Sequence, residues 1–81
     1  MKLTIYTLKD CSTCHKTIQY LENHYLDFQE IQINNNLALM KELKAKSGFV
    51  TVPIIEINGK YLTNFEEKEL EVFLQKNRLE H

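Results

Sequence analysis

The segment Cys11-Ser12-Thr13-Cys14-His15, entered from Ile5-Tyr6-Thr7-Leu8, joins a strand pattern to a helix pattern at the two cysteines of the chain. Upstream, Lys2 to Leu8 is rich in β-branched and aromatic residues. Leu3 and Ile5 face one way and Tyr6 and Leu8 the other, so both faces carry apolar bulk and the run reads as a central strand. Downstream of Cys14, Ile18, Leu21 and Tyr25 recur at helical spacing while Lys16, Gln19, Glu22 and Asn23 take the outer face, the pattern of an amphipathic helix. Cys11 is thereby placed to cap that helix. A thiol there feels the partial positive charge of unpaired backbone N–H groups, which favours thiolate and lowers the pKa from its free value of about 8.5. Because the thiolate is the reactive form, the arrangement points to redox chemistry, with Cys11 attacking a disulfide and Cys14 resolving the mixed disulfide. Cys14 falls in phase with the stripe of Ile18, Leu21 and Tyr25, so it is expected to be the buried thiol, and Cys11, in the turn, the exposed one.

Working outward, Phe28 to Ile33 returns to period two, with Ile31 and Ile33 alternating against Glu30 and Gln32. Asn34-Asn35-Asn36 offers helix caps ahead of Leu37, Met40 and Leu43, and Ser47-Gly48 stops that second helix. Val50 to Ile57 reads as a strand, Asn58-Gly59 as a two-residue hairpin turn, and Tyr61-Leu62 as the start of the return strand. Thr63 with Glu66 has the form of a capping box, before the apolar stripe of Leu70, Phe73 and Leu74. The order βαβαββα predicts an α/β fold: a four-stranded mixed sheet, parallel at the βαβ crossover and antiparallel at the hairpin, flanked by helices.

The 81 residues allow one domain, taken as residues 1–78, with Leu79-Glu80-His81 read as the stub of an expression tag. Hydrophobic residues at 43%, with only two glycines and one proline, exclude a disordered or fibrous chain. Ten basic and eleven acidic residues, interspersed, create no field that would gather nucleic acid or an anionic membrane. The apolar runs are too short for a membrane span, and Met1-Lys2-Leu3-Thr4 begins a strand pattern instead of a signal peptide, so the chain is read as cytoplasmic.

Cys-x-x-Cys-His admits other chemistries. Half a zinc site would need His15 and His24, and Cys14 and His15, as neighbours, converge poorly on one metal. The haem-attachment pattern is matched by Cys11, Cys14 and His15, with Met40 as a distal ligand, but the strands and the hairpin have no place in that reading. A pair of inert structural thiols is the plainest alternative, and it leaves unexplained why two stand together at a helix start.

Thr51-Val52-Pro53 contains the one proline of the chain, at the opening of a strand that the hairpin makes internal or nearly so. Taken with the cysteines, it makes the chain resemble the thioredoxin-fold redoxins, in particular the small glutaredoxins. The resemblance is carried by Ile5-Tyr6-Thr7 leading into Cys11-Ser12-Thr13-Cys14-His15-Lys16, by Ser47-Gly48 before Thr51-Val52-Pro53, and by Ile57-Asn58-Gly59-Lys60, and it covers residues 2 to 76. It implies a thioredoxin-like fold, a cis Val52-Pro53 peptide beside the cysteines, and a substrate segment paired as an added strand with the backbone of Val52. It also implies Cys11 as nucleophile, Cys14 as resolving thiol, and no metal or tightly bound cofactor, with glutathione as reductant or co-substrate.

Departures from the family pattern bear on the partner. Ser12-Thr13 stands where Pro-Tyr is common; Leu8 stands where a basic residue is usual, with Lys9 one position later; Thr63-Asn64-Phe65-Glu66 replaces Gly-Gly and an acid. Asn64-Phe65 is similar to the Gly-Phe of redoxins that supply ribonucleotide reductase and are recharged by thioredoxin reductase. Substrate contacts are therefore expected at Lys9, Thr51, Val52, Pro53, Asn64 and Phe65, with glutathione or thioredoxin reductase as electron donor, a disulfide-containing protein as substrate, and a monomer as the working unit. The alternative from another class is a redox-inactive thioredoxin-fold module that docks a partner segment at Val52-Pro53.

Overall fold

In the computed structural model, which describes residues 2–48, 52–63 and 66–78, the elements follow in the expected order. They are β1 (Leu3–Thr7), α1 (Ser12–Asn23), β2 (Gln29–Gln32), α2 (Leu37–Ser47), β3 (Ile54–Ile57), β4 (Lys60–Leu62) and α3 (Glu67–Arg78). The sheet order is β2-β1-β3-β4. β1 runs parallel to β2, with Tyr6 beside Ile31, and antiparallel to β3, with Ile5 beside Ile55. Its central place accounts for the apolar residues on both of its faces, since all five are buried. β3 returns antiparallel into β4 through Asn58 and Gly59, at φ 52° and 81°; two consecutive positive φ values define the turn that matches strand twist.

Alternation along β1 and β3 divides the core. Leu3, Ile5, Ile55 and Ile57 face Leu21 of α1, Leu26 just beyond it, and Leu70 and Leu74 of α3. Tyr6 and Ile54 face the other way, with Ile33 and with Leu43 of α2. α2 starts as expected, the Leu39 N–H donating to the Asn36 side-chain oxygen at 3.0 Å, and stops at Gly48 in the left-handed conformation, φ 80°. Among the described residues no helix is long and apolar enough to cross a membrane.

Four expectations are corrected. Tyr25, placed by periodicity in the buried stripe of α1, is 95% exposed. The helix closes before it: Tyr25 enters the left-handed region at φ 55°, its N–H donates to the Glu22 carbonyl, and the Leu26 N–H donates to the Leu21 carbonyl. That pair of bonds is a Schellman closure, and it folds Leu26 back against Leu21, so the core position passes to Leu26. Leu37, assigned to the apolar stripe of α2, is 72% exposed, and Leu39 packs against the core in its stead. β3 begins at Ile54, after Val52 and Pro53, which the sequence pattern places within it, as suits a proline with no N–H for the ladder; the expected start at Val50 lies outside the described residues. The capping box at Thr63 does not form: α3 begins at Glu67 with the Leu70 N–H donating to the Glu66 carbonyl, which makes Glu66 the N-cap, and Thr63 is buried.

Candidate active site

β1 and β2 are parallel, so the loops that follow them lie side by side at one end of the sheet. The Lys9 N–H donates to the Asn34 side-chain oxygen at 2.8 Å and ties the two loops together. Asp10 reverses the chain at φ 61°, the left-handed region that Asp tolerates better than most residues, and Cys11 follows in extended geometry as the N-cap of α1. The Cys11 sulfur accepts the Cys14 N–H at 3.1 Å, and the Cys11 carbonyl accepts the His15 N–H at 3.2 Å. The sulfur therefore occupies the place an Asp or Ser oxygen takes in an ordinary cap. A backbone donor and the helix dipole both favour negative charge on it.

Cys11 and Cys14 are joined as a disulfide, with their Cα atoms 5.2 Å apart. Their environments differ as expected: Cys11 is partly exposed, and Cys14 is 2% exposed. One turn further, Thr17 is fully buried, and its hydroxyl is not left unpaired there, donating to the Thr13 carbonyl at 2.9 Å.

Of the other expected site residues, Lys9 is exposed and lines a hollow of about 190 Å³ with Asp10, Cys14, His15 and Glu30. Val52 and Pro53 are joined by a cis peptide. They precede Ile54, which pairs with Tyr6, so they lie at the end of the sheet where Thr7 leads on to the cysteines. Pro53 is buried, and Val52 packs partly buried against the α2-side core. Thr51, Asn64 and Phe65 lie outside the described residues. His15 is exposed, as is His24, whose ring stacks on Tyr20 at 4.1 Å between centroids. Among the described residues no three His, Cys, Asp or Glu side chains gather as a metal site would require.

Two polar pairs escaped sequence reasoning. The Thr7 hydroxyl donates to a Glu30 oxygen at 2.8 Å, and the Tyr6 hydroxyl donates to Glu56 at 2.9 Å. Each joins neighbouring strands, and only strand register brings the partners together. Burial, and next the bond to Glu56, pushes the Tyr6 phenol up to about 12. Burial raises Tyr61 and Tyr20 as well, seconded by Glu56 and Glu71 respectively.

A cysteine pair at a helix N-terminus, at the same end of a four-stranded mixed sheet as the cis Val52-Pro53 peptide, places the chain among thioredoxin-like folds that carry a redox-capable thiol pair. Solved structures bear out the fold: glutaredoxin grx-1 from Archaeoglobus fulgidus superposes with a TM-score of 0.81 at 22% identity, covering 90% of this chain and 85% of that one. NrdH-redoxin from Escherichia coli, described as a glutaredoxin-like protein with a thioredoxin-like activity profile, gives 0.78 at 29% identity over 89% of this chain and 93% of that one. Residues 3–62 match the glutaredoxin family, and the chain belongs to it. Glutaredoxin 3 of Escherichia coli is 36% identical over 58 residues, 72% of this chain and 70% of that protein.

Proposed function

We propose that this chain is a dithiol oxidoreductase that reduces protein or small-molecule disulfides through Cys11 and Cys14. The observation that carries the reading is the contrast between the two sulfurs. Cys11 is partly exposed and accepts a helix N-terminal N–H at 3.1 Å, whereas Cys14 is 2% exposed. Cys11 attacks a substrate disulfide; one substrate sulfur leaves, and the other is held in a mixed disulfide. Cys14 then attacks Cys11, the second substrate thiol departs, and the Cys11–Cys14 bond holds the oxidised state. The substrate segment adds as a strand along Val52-Pro53, with Lys9, Thr51, Asn64 and Phe65 as the residues expected to contact it. No metal or tightly bound cofactor takes part. Re-reduction comes from glutathione or from thioredoxin reductase, in a monomer working in the cytoplasm, where the thiols are kept reduced.

The test equilibrates reduced protein in glutathione buffers of graded oxidation, quenches by alkylation and weighs the products. Loss of two hydrogens supports exchange, and accumulation of a glutathione adduct on Cys11 favours the glutathione route over thioredoxin reductase. Cys11→Ser is expected to drop exchange to the uncatalysed background, and Cys14→Ser to trap the mixed disulfide. Undiminished activity in Cys11→Ser overturns the assignment.

A further inference from the structure

Cys14 is 2% exposed, yet it lines the hollow of about 190 Å³ at the junction of β1, β2 and α1. If Cys14 resolves a mixed disulfide, its thiol proton must leave as its sulfur attacks, and the hollow is an opening that Cys14 lines. A space of that size holds several water molecules at roughly 30 Å³ each. The titratable and charged groups that line it are Lys9 and Asp10 from the loop after β1, His15 from α1 and Glu30 from β2.

Glu30 is the carboxylate that the sheet holds in position. It pairs in register with Ile5, whose side chain packs under α1, so Glu30 stands on the same face of the sheet as the cysteine-bearing helix. The Thr7 hydroxyl, on a residue 1% exposed, donates to its Oε2 at 2.8 Å and fixes the carboxylate while leaving Oε1 to accept. His15 shares the hollow and is exposed, as Glu30 is, but no strand anchors it.

The geometry points to Glu30 as the proton acceptor for Cys14 in the resolving step, acting through a water in the hollow. This rests on the dithiol exchange proposed above. The proton passes from the Cys14 Sγ through water to the Glu30 carboxylate. The Cys14 sulfur bonds to the Cys11 sulfur, the bond from Cys11 to the substrate sulfur breaks, and the substrate leaves as thiolate. Two electrons move from the dithiol to the substrate, and no further reactant is required.

The test uses a chromogenic aromatic disulfide, which releases one coloured thiolate when Cys11 attacks and a second when Cys14 resolves. The first release scales with reagent concentration and the second does not, so stopped-flow separates them. Glu30→Gln is expected to leave the first release unchanged. It slows the second about 100-fold at neutral pH, the lower end of what a positioned base contributes. Its rate should rise about tenfold per pH unit between roughly pH 6 and 8 as hydroxide takes over, while the unsubstituted protein stays flatter. Glu30→Asp should restore part of the rate and of the flat profile, which a merely structural role would not do. An unchanged second release in a folded Glu30→Gln protein overturns the inference while leaving dithiol exchange intact. Transfer of the whole effect to His15→Gln overturns it also. Absence of the first release from the unsubstituted protein brings down dithiol exchange, and this step with it.

Discussion

Under α1 and α3 the sheet sets Leu3, Ile5, Ile55 and Ile57 against Leu21, Leu26, Leu70 and Leu74, none more than 8% exposed. Under α2 the buried set is Tyr6, Ile33, Ile54 and Leu43, and one of these carries a hydroxyl that is satisfied by Glu56. Where that second face runs beyond the helix, Lys2, Thr4, Gln29, Glu56 and Asn58 line an open hollow of about 320 Å³. The division follows the work each side does. α1 carries both cysteines, and an N-cap sulfur keeps its donor only if the helix does not shift; the core under the helix is apolar and close, and the Thr7–Glu30 pair and the hollow stand at the end that holds the cysteines. α2 carries neither cysteine, and on its face a polar pair, Tyr6 with Glu56, enters the buried set itself. Truncating a side chain on each side tests this. Leu21→Ala removes a fully buried side chain from the first cluster and is expected to cost about 4 kcal/mol, read from denaturant midpoints. Leu43→Ala, at a smaller cluster next to half-buried residues that can shift, should cost about 2 kcal/mol. An equal or larger loss at Leu43 breaks the comparison.

The polar character of the α2 face has its own signature. The Tyr6 phenol is raised from 10.0 to about 12 in the folded protein, by burial first and then by the Glu56 bond. A raised value means that the stabilisation is complete below about pH 10, where the unfolded tyrosine is protonated too, and is lost as pH climbs to about 12. Over that window the protein should lose roughly 2–3 kcal/mol through this one group. Tyr6→Phe should be about 1 kcal/mol less stable at neutral pH and fall more gently above pH 10, so the two unfolding curves converge and cross. Parallel curves would mean that Tyr6 is not buried in its neutral form, and the α2 side would then be looser than described.

How far these features could be read in advance depends on the distance over which they are encoded. β1, the cysteine turn and Asn58-Gly59 are local patterns, in which period two, a cap and a dipeptide with positive φ each occupy a few neighbouring residues. The βαβαββα order followed from them, and so did the partly exposed Cys11 over a buried Cys14. Thr7–Glu30 and Tyr6–Glu56 join residues 23 and 50 positions apart, and strand register, which the sequence leaves open, sets both pairs. Tyr25 and Thr63 failed differently. Helical periodicity marks Tyr25 as buried, but the helix ends first, and a tyrosine in a left-handed closure gives no compositional warning such as glycine would. Thr63 and Glu66 had the right spacing for a capping box, yet the helix starts late enough that Glu66 is itself the cap.

Tyr25 stands where the chain leaves α1 for the first cluster, and correcting its backbone is the smallest effect expected. At φ 55° its Cβ crowds the backbone, a cost of about 1–2 kcal/mol for an L-residue, and at 95% exposure the ring recovers almost nothing by burial. Glycine removes the crowding but makes the unfolded chain freer, which returns part of the gain. Tyr25→Gly should therefore stabilise the protein by about 1 kcal/mol, or about 5 °C in Tm, without altering disulfide exchange. Tyr25→Ala, which keeps the Cβ, should leave Tm where it is. If alanine stabilises as much as glycine, the penalty lies in the aromatic ring and not in the left-handed backbone. If glycine destabilises, the exposed ring contributes contacts that hold Leu26 against Leu21, and the apolar side extends one residue past the helix end.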